Sequence, residues 1–485
     1  MILRPLLVAC LALAPLAGTA QQPSAAAATL SPDQMRGLAL DLLDRGQPAE
    51  ATGLLDALLQ RDPDDVAALI LGARAAFDRD DPAEAQRLAA RAYGRAPDDT
   101  TRYVAARLAA RAQAAQGHDT RAQFWLRRAR QYAPDAAEAE SVAQDYAFLR
   151  DRNPLSVDLS FGISPSNNIN NGTQSDEVVI GGIAFLNNNS AKPLAGIQYD
   201  AGATLTYRLD ASDRSATFAE LALRTTQYTL AGSARDALQE DIDSAAARGF
   251  ATDDLPRNGH DFAYTAATVT LLNRTIHRAG WLPTTYSMGL GTSWYGGNHY
   301  QTTLDLGVSH AVAMGPRARL QFSGGLRQDF ADERSGAFGT PPPARASVLS
   351  RDALSYTAGL GYVRIRDDGD RLSLSVSDRV SRSDDTERDY NALQIGVGYD
   401  LAQPIMNVGF GFGVQLEQRR FENSFFVDGI RRDYTVTAQV TALLENVEYY
   451  GFQPAVTVGL GRTFSDSARF DTRYGTVGLD VRSAF

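Results

Sequence analysis

The stretch Ile197-Gln198-Tyr199-Asp200-Ala201-Gly202-Ala203-Thr204-Leu205-Thr206-Tyr207-Arg208-Leu209 is apolar at every second position. Successive side chains of a strand point to opposite faces, so this segment has one greasy face and one wet face. The same alternation recurs about fourteen times between Leu155 and Phe485, each time for ten to fifteen residues and each time followed by a turn. A water-soluble sheet needs a second layer to cover so many greasy faces. Here the off-face is too polar, and the strands too numerous, for such a layer to be found within the chain. A closed barrel in a bilayer meets both demands, with lipid outside, water inside and no free edge.

Working outward, strand cores are expected to begin near Leu155, Ile197, Ala216, Phe262, Thr284, Tyr300, Arg317, Leu354, Arg371, Ala392, Val408, Tyr434, Phe452 and Arg473. Fourteen is an even number, as a single-chain bacterial barrel requires, and the links support the count. Odd links on the external side can be long; even links on the periplasmic side should be short. The odd links include Asn167 to Leu194, Ala231 to His260, Ala331 to Asp352 and Glu422 to Arg432. The even links are turns such as Asp210-Ala211-Ser212-Asp213 and Asp367-Asp368-Gly369-Asp370. Only the fifth, Gly296 to Asn298, is short where length was allowed. Val408, Phe410, Phe412, Val414 and Leu416 share the lipid face, which makes Gly409-x-Gly411-x-Gly413 a small-residue lumen stripe. It lacks the spacing and following helix of a nucleotide loop. The closing strand sets Val477, Leu479, Val481 and Ser483 on one face and ends in the aromatic Phe485, which resembles the tag read by the barrel-insertion machinery.

Before the barrel the composition changes. Residues 31–150 are rich in Ala, Leu, Arg and Asp at helical spacing. Ala51, Ala85 and Ala122 recur at gaps of 34 and 37, and Pro63, Pro97 and Pro134 follow each by twelve residues. Gly46 and Gly117 stand five residues before their alanines, with Asp80 in that place in the middle copy. A period near 34, a small residue where helices touch and a proline closing the second helix resemble the tetratricopeptide repeat. Such a stack offers a groove for a peptide or partner protein; the plainer alternative is a helical cap that braces or plugs the barrel mouth. The expected fold class is therefore multidomain, with N-terminal all-α tetratricopeptide-like repeats and a C-terminal transmembrane antiparallel β-barrel of about 14 strands.

Residues 1–20, with Arg4, an apolar run and the small residues Gly18 and Ala20, read as a secretory signal peptide. The expected boundaries are then a linker at 21–30, the periplasmic helical domain at 31–150 and the outer-membrane barrel at 154–485. Cys10, the single cysteine, sits in Leu7-Val8-Ala9-Cys10, similar to a lipoprotein box, but the apolar stretch before it is too short and the run continues to Ala17. Cleavage after Ala20 leaves no thiol for disulfides or catalysis. The formal net charge of −10 argues against a nucleic-acid partner.

Little in the chain suggests catalysis, and it reads as no enzyme. His118, His260, His277, His299 and His310 show no zinc-like spacing, no GxSxG elbow occurs, and no cofactor motif is present. His310 shares a face with Val308 and Val312 near a strand end, a headgroup-level position. Glu240-Asp241-Ile242-Asp243 reads as a solvated helical turn, with a divalent-cation site as the alternative.

Ser164-Pro165-Ser166-Asn167-Asn168-Ile169-Asn170-Asn171-Gly172-Thr173, with Val179-Ile180-Gly181-Gly182-Ile183-Ala184-Phe185 and the 195–209 strand, resembles the surface lipoprotein assembly modifier family. The family usually has an acidic residue just before the Asn-Ile-Asn motif, where this chain has Ser166. The resemblance implies an N-terminal tetratricopeptide domain, a barrel of fourteen strands and export of lipoprotein clients to the cell surface. It implies as partners outer-membrane lipid, a client lipoprotein or secreted protein, a periplasmic chaperone and the insertion machinery. The Gly, Ser and Thr of the inward faces suit a slippery polypeptide path. Asn168 and Asn170 are expected to tie the first external loop, since Asn side chains mimic turn hydrogen bonds, or to touch the client. A polysaccharide exporter and a porin-like channel are the competing readings.

Overall fold

The computed structural model describes residues 30–180, 182–331 and 351–483. The signal segment, Cys10 and Phe485 lie outside these. The chain divides into two compact units that part after Arg95.

In the first unit, α1 (Pro32–Asp44), α2 (Pro48–Arg61), α3 (Val66–Asp78) and α4 (Pro82–Arg95) form two helical pairs. Ala51 and Ala85 lie on the second helix of each pair and are buried, as close helix packing demands. Gly46 and Asp80 turn the chain between the paired helices with φ of 74° and 62°. Glycine adopts that left-handed backbone freely and aspartate tolerates it, which explains why the two residues exchange at this place. Pro63 and Pro97 follow the ends of α2 and α4. Ser31, Asp65, Asp98 and Asp135 each cap the first helix of a repeat by accepting the backbone N–H three residues on.

The second unit opens with α5 (Asp99–Ala115), α6 (Asp119–Gln131) and α7 (Ala136–Arg152). Gly117, with φ of 74°, and buried Ala122 repeat the pattern of the first unit. Pro154 then leads into the barrel. Its strands are β1 (Leu155–Ser166), β4 (Gly196–Ala211), β5 (Ser215–Leu230), β6 (Tyr264–Thr275), β7 (Thr284–Tyr295), β8 (Asn298–Ala313), β9 (Ala318–Ala331) and β10 (Ala353–Ile365). They continue through β11 (Arg371–Ser383), β12 (Tyr390–Asp400), β13 (Val408–Phe421), β14 (Arg431–Leu444), β15 (Phe452–Ser465) and β16 (Thr472–Ser483). A short hairpin, β2 (Glu177–Ile180) with β3 (Ile183–Leu186), lies inside the first link. All neighbours are antiparallel, and β1 pairs with β16 through Gly162 opposite Asp480 and Ile163 opposite Leu479, so the sheet closes with fourteen strands.

The faces fall as the alternation requires. Phe161 and Ile163 on β1, Leu209 on β4, Val414 and Leu416 on β13 and Val477 on β16 are exposed on the outside. Inward positions carry Ser160, Gly202, Ser287, Gly307, Ser323 and Gly359, packed so closely that a Cβ on Gly202, Gly307 or Gly359 would meet the facing serine hydroxyl at 2.5 Å. No described helix is long and apolar enough to cross a membrane; the strands do so instead. The fourth strand core differs from expectation at its start. Phe262 belongs to a short 3-10 turn, Gly259–Phe262, and is buried among loop residues, so β6 begins at Tyr264.

Candidate functional site: the lumen and its loop crown

Serine, threonine and glycine at inward positions leave a cavity of about 680 Å³ beside β7 to β12. Its charged lining is balanced, with Arg327, Arg379 and Arg388 against Asp305, Asp329 and Glu387. Asp329 on β9 bridges two arginines, accepting from Arg327 Nε at 2.7 Å and Arg388 Nη2 at 3.0 Å. Arg388 comes from the link between β11 and β12 and also donates to Gln301 on β8 at 3.1 Å. That link therefore folds over the rim onto the opposite side of the cavity. With Arg327 and Arg388 paired to Asp305 and Asp329, most of this charge is met within the wall, which weakens the field offered to a passing molecule.

The same link is also held by Arg431, an inward-facing residue at the start of β14. Its guanidinium lies between the rings of Phe421 and Phe470, 3.7 and 3.9 Å from their centroids. It pairs with Glu387 and with Asp433 at 3.2 Å, while Glu387 also accepts from Ser424 Oγ at 2.8 Å. One buried arginine thus joins the links after β11, β13 and β15.

Asn168 and Asn170 stand in the first link. Asn168 is buried; its Nδ2 donates to Gly172 O at 2.9 Å and Arg473 O at 3.1 Å, and its Oδ1 accepts from Gly172 N at 2.6 Å. Asn170 Nδ2 donates to Ser190 O and Lys192 O at 2.9 and 2.8 Å, and its Oδ1 accepts from Leu194 N at 3.0 Å. Thr173, also buried, donates to Ala468 O in the link after β15. Ile169 and Leu194 share a small core with Ala234 and Leu238 of α8 (Gly232–Ala247), the helix of the third link.

Asp241 differs from its sequence reading. Within α8 it is no solvated residue, for its carboxylate accepts the backbone N–H of Asn189 at 3.0 Å and of Ser190 at 2.8 Å. The acid matches the free donors that open a short 3-10 turn in the first link. Nothing in the run itself reveals a partner some fifty residues away. Among the described residues, no group of three or more His, Cys, Asp or Glu could hold a metal ion. His310 meets Thr284 Oγ1 at 3.0 Å and the Trp281 ring at 5.6 Å near the fourth link.

At the end bearing the even links, α6 is fastened to the turn between β14 and β15. Arg130 pairs with Glu448 at 2.8 Å, Arg127 Nη1 donates to Gly451 O at 3.1 Å, and Tyr450 N donates to Gln131 Oε1 at 2.7 Å. In the first unit a second, smaller cleft of about 250 Å³ lies among α2, α3 and α4, with Arg79, Arg87, Arg91, Asp56 and Glu84 around it. Sequence periodicity found the helices but could not name these residues.

A tetratricopeptide-repeat family model matches residues 42–108. No curated protein matches the chain. Among solved structures, the type III secretion translocator chaperone SycD of Yersinia enterocolitica is 16% identical, covering 26% of this chain and 88% of its own, with a TM-score of 0.23. OprB of Pseudomonas putida is 12% identical over 70% of this chain and 96% of its own, with a TM-score of 0.35. A bacterial polysaccharide outer membrane secretin is 10% identical over 67% and 98%, with a TM-score of 0.32. None of these likenesses carries the functional argument. The closed sheet with its apolar exterior does define a class: an outer-membrane β-barrel preceded by tetratricopeptide repeats.

Proposed function

We propose that this chain delivers a polypeptide client, a surface lipoprotein or a secreted protein, outward across the outer membrane, with the helical repeats on the periplasmic side binding the client or its chaperone. The observation that carries the reading is the junction of α6 with the turn at Glu448, Tyr450 and Gly451. A repeat scaffold of a type that binds peptides is bonded to the end of the barrel where the short links lie. A general porin has no use for such an attachment.

The mixed charge of the lumen cavity fits a chain of varied side chains better than an acidic polymer, which would favour an unbalanced basic wall. The resemblance of the Asn168–Thr173 segment to the surface lipoprotein assembly modifiers points the same way. In this reading Asn168 and Asn170 hold the loop crown in shape rather than touch the client, because their amide groups are already committed to backbone partners.

The test is surface labelling of a lipoprotein encoded beside this chain's gene, in cells with the full chain, a chain lacking residues 31–95, or none. The truncation ends where the first compact unit ends and leaves α5 to α7 on the barrel. The expected result is surface display with the full chain alone. Equal display in all three cells rejects client export and leaves the polysaccharide and porin readings.

A further inference from the structure

The outward face of the last four strands carries charge where lipid contact calls for none. Arg420 on β13 stands directly opposite Arg432 on β14, and Arg462 on β15 directly opposite Arg473 on β16. The alternation that puts Val414, Leu416, Leu460 and Val477 outside puts these four outside as well, and all four are exposed. Like charges directly opposite one another on a sheet face repel and destabilise the pair. Here two such pairs occur on neighbouring hairpins, both toward the end bearing the odd links.

Carboxylates answer only half of this charge. Arg420 pairs with Glu422 at 3.4 Å and Arg462 with Asp471 at 3.2 Å. Asp466, beside Arg432, spends its carboxylate on the Arg432 backbone N–H at 2.9 Å. Among the described residues, no acidic group lies within ion-pair distance of the Arg432 or Arg473 guanidinium.

The surroundings fix the depth. Tyr434 lies one outward step inside Arg432, and the Arg462 guanidinium lies over the Phe464 ring at 4.6 Å. Aromatic residues mark the level where hydrocarbon gives way to headgroups. On the hydrocarbon side of the arginines run Leu460 and Val458 on β15 and Val477 and Leu479 on β16, all exposed.

We infer that this face binds a phosphorylated glycolipid of the adjoining leaflet, the arginines taking its phosphates and the apolar column its acyl chains. Arginine is the fitting residue, since its planar fork matches phosphate oxygens two at a time and always stays charged. A bound phosphate between opposed guanidinium groups turns the repulsion into attraction. The site lies outside the barrel, so it is independent of what passes through the lumen. Its assignment to the outer leaflet rests on the odd links facing the exterior.

The experiment uses the full chain in phosphatidylcholine nanodiscs doped with bisphosphorylated lipid A or with its dephosphorylated form, scored by native mass spectrometry. Wild type should retain the phosphorylated form and release the other. Arg432→Gln with Arg473→Gln should weaken retention by about tenfold or more, since hydrogen bonds to charged groups are lost, while Arg432→Lys with Arg473→Lys should keep part of it. Equal retention of the two lipids by wild type overturns the inference without reference to any variant. So does unchanged retention by the glutamine pair in a barrel that still shows heat-modifiable mobility, or displacement of lipid A by an equal concentration of inorganic phosphate.

Discussion

Arg130 of α6 and Glu448 of the turn between β14 and β15 form an ion pair at 2.8 Å, with about three quarters of each side chain covered. The pair joins a helix to a barrel turn more than three hundred residues away in sequence. Removing one partner strands the other in a partly desolvated place, which costs more than the pair itself contributes. Glu448→Ala should loosen the helices from the turn by roughly 1–3 kcal/mol, since Gln131 and Arg127 still hold it. Hydrogen exchange across α6 and the 445–451 turn should quicken while the barrel strands stay protected. Unchanged exchange would show that the pair carries no docking energy.

The register makes a sharper prediction. Leu205 stands between Val157 and Leu221 on the lipid face; its neighbour Thr204 stands between Asp158 and Ala222 on the lumen face. Leu205→Arg places a charge in hydrocarbon at about 2–4 kcal/mol, whereas Thr204→Arg faces water with an aspartate opposite. Urea-induced unfolding in lipid vesicles should separate the two variants by that amount. Equal loss in both would mean the faces are exchanged, as a slip of one residue would do.

Alternation made the strands legible because the period of two is local, as in Ile197 to Leu209. The helical repeats were legible for the same reason, since Ala51, Ala85 and Ala122 answer to packing that recurs every turn of the scaffold. What stayed hidden depends on residues distant in sequence. Asp241 looked like part of a solvated turn because its partners, the backbone N–H groups of Asn189 and Ser190, leave no side-chain signature. Arg431 gave no signal either, for its rings come from Phe421 at the end of β13 and Phe470 in the link after β15. Asn168 and Asn170 were found because asparagine in a turn-like run already implies local hydrogen bonding, though their reach to Arg473 and Lys192 was not implied.

Asp65 links stability to pH in the helical unit. It caps α3 through the Ala68 N–H at 3.0 Å and receives Arg36 Nη2 at 2.9 Å. Burial by itself would raise its pKa, but the Ala68 N–H and the Arg36 guanidinium outweigh that and hold the carboxyl below the ordinary carboxylate value. A carboxyl lowered by folding stabilises above its unfolded pKa, and the contribution is lost as pH falls through the lower folded one. Helical melting followed at 222 nm on the full chain should therefore weaken below about pH 4. Asp65→Asn keeps a capping oxygen and should flatten that dependence, while Asp65→Ala should cost about 0.5–2 kcal/mol at neutral pH. Parallel pH profiles for wild type and Asp65→Asn would remove Asp65 from the account.

The first link leaves no room at Gly172. A Cβ there would stand 2.2 Å from the carbonyl carbon and oxygen of Lys192 and 2.6 Å from Pro193 N, all backbone atoms that cannot swing aside. Gly172→Ala should force the two passes of the link apart and break the Thr173 N–H bond to Ala191 O, which measures 2.8 Å. Asn168→Ala attacks the same clasp by leaving Gly172 N–H and C=O without their partners, at roughly 1–3 kcal/mol. Asn171→Gly next door is the control, because Asn171 already sits at φ of 51°, a backbone glycine adopts freely. Protease added to intact cells should cut residues 167–195 faster in Gly172→Ala and Asn168→Ala than in wild type or Asn171→Gly. All four proteins should keep heat-modifiable mobility, because the strands below the link are unchanged. If Asn171→Gly is cut as fast as Gly172→Ala, the link is governed by chain flexibility and not by the close approach at Lys192.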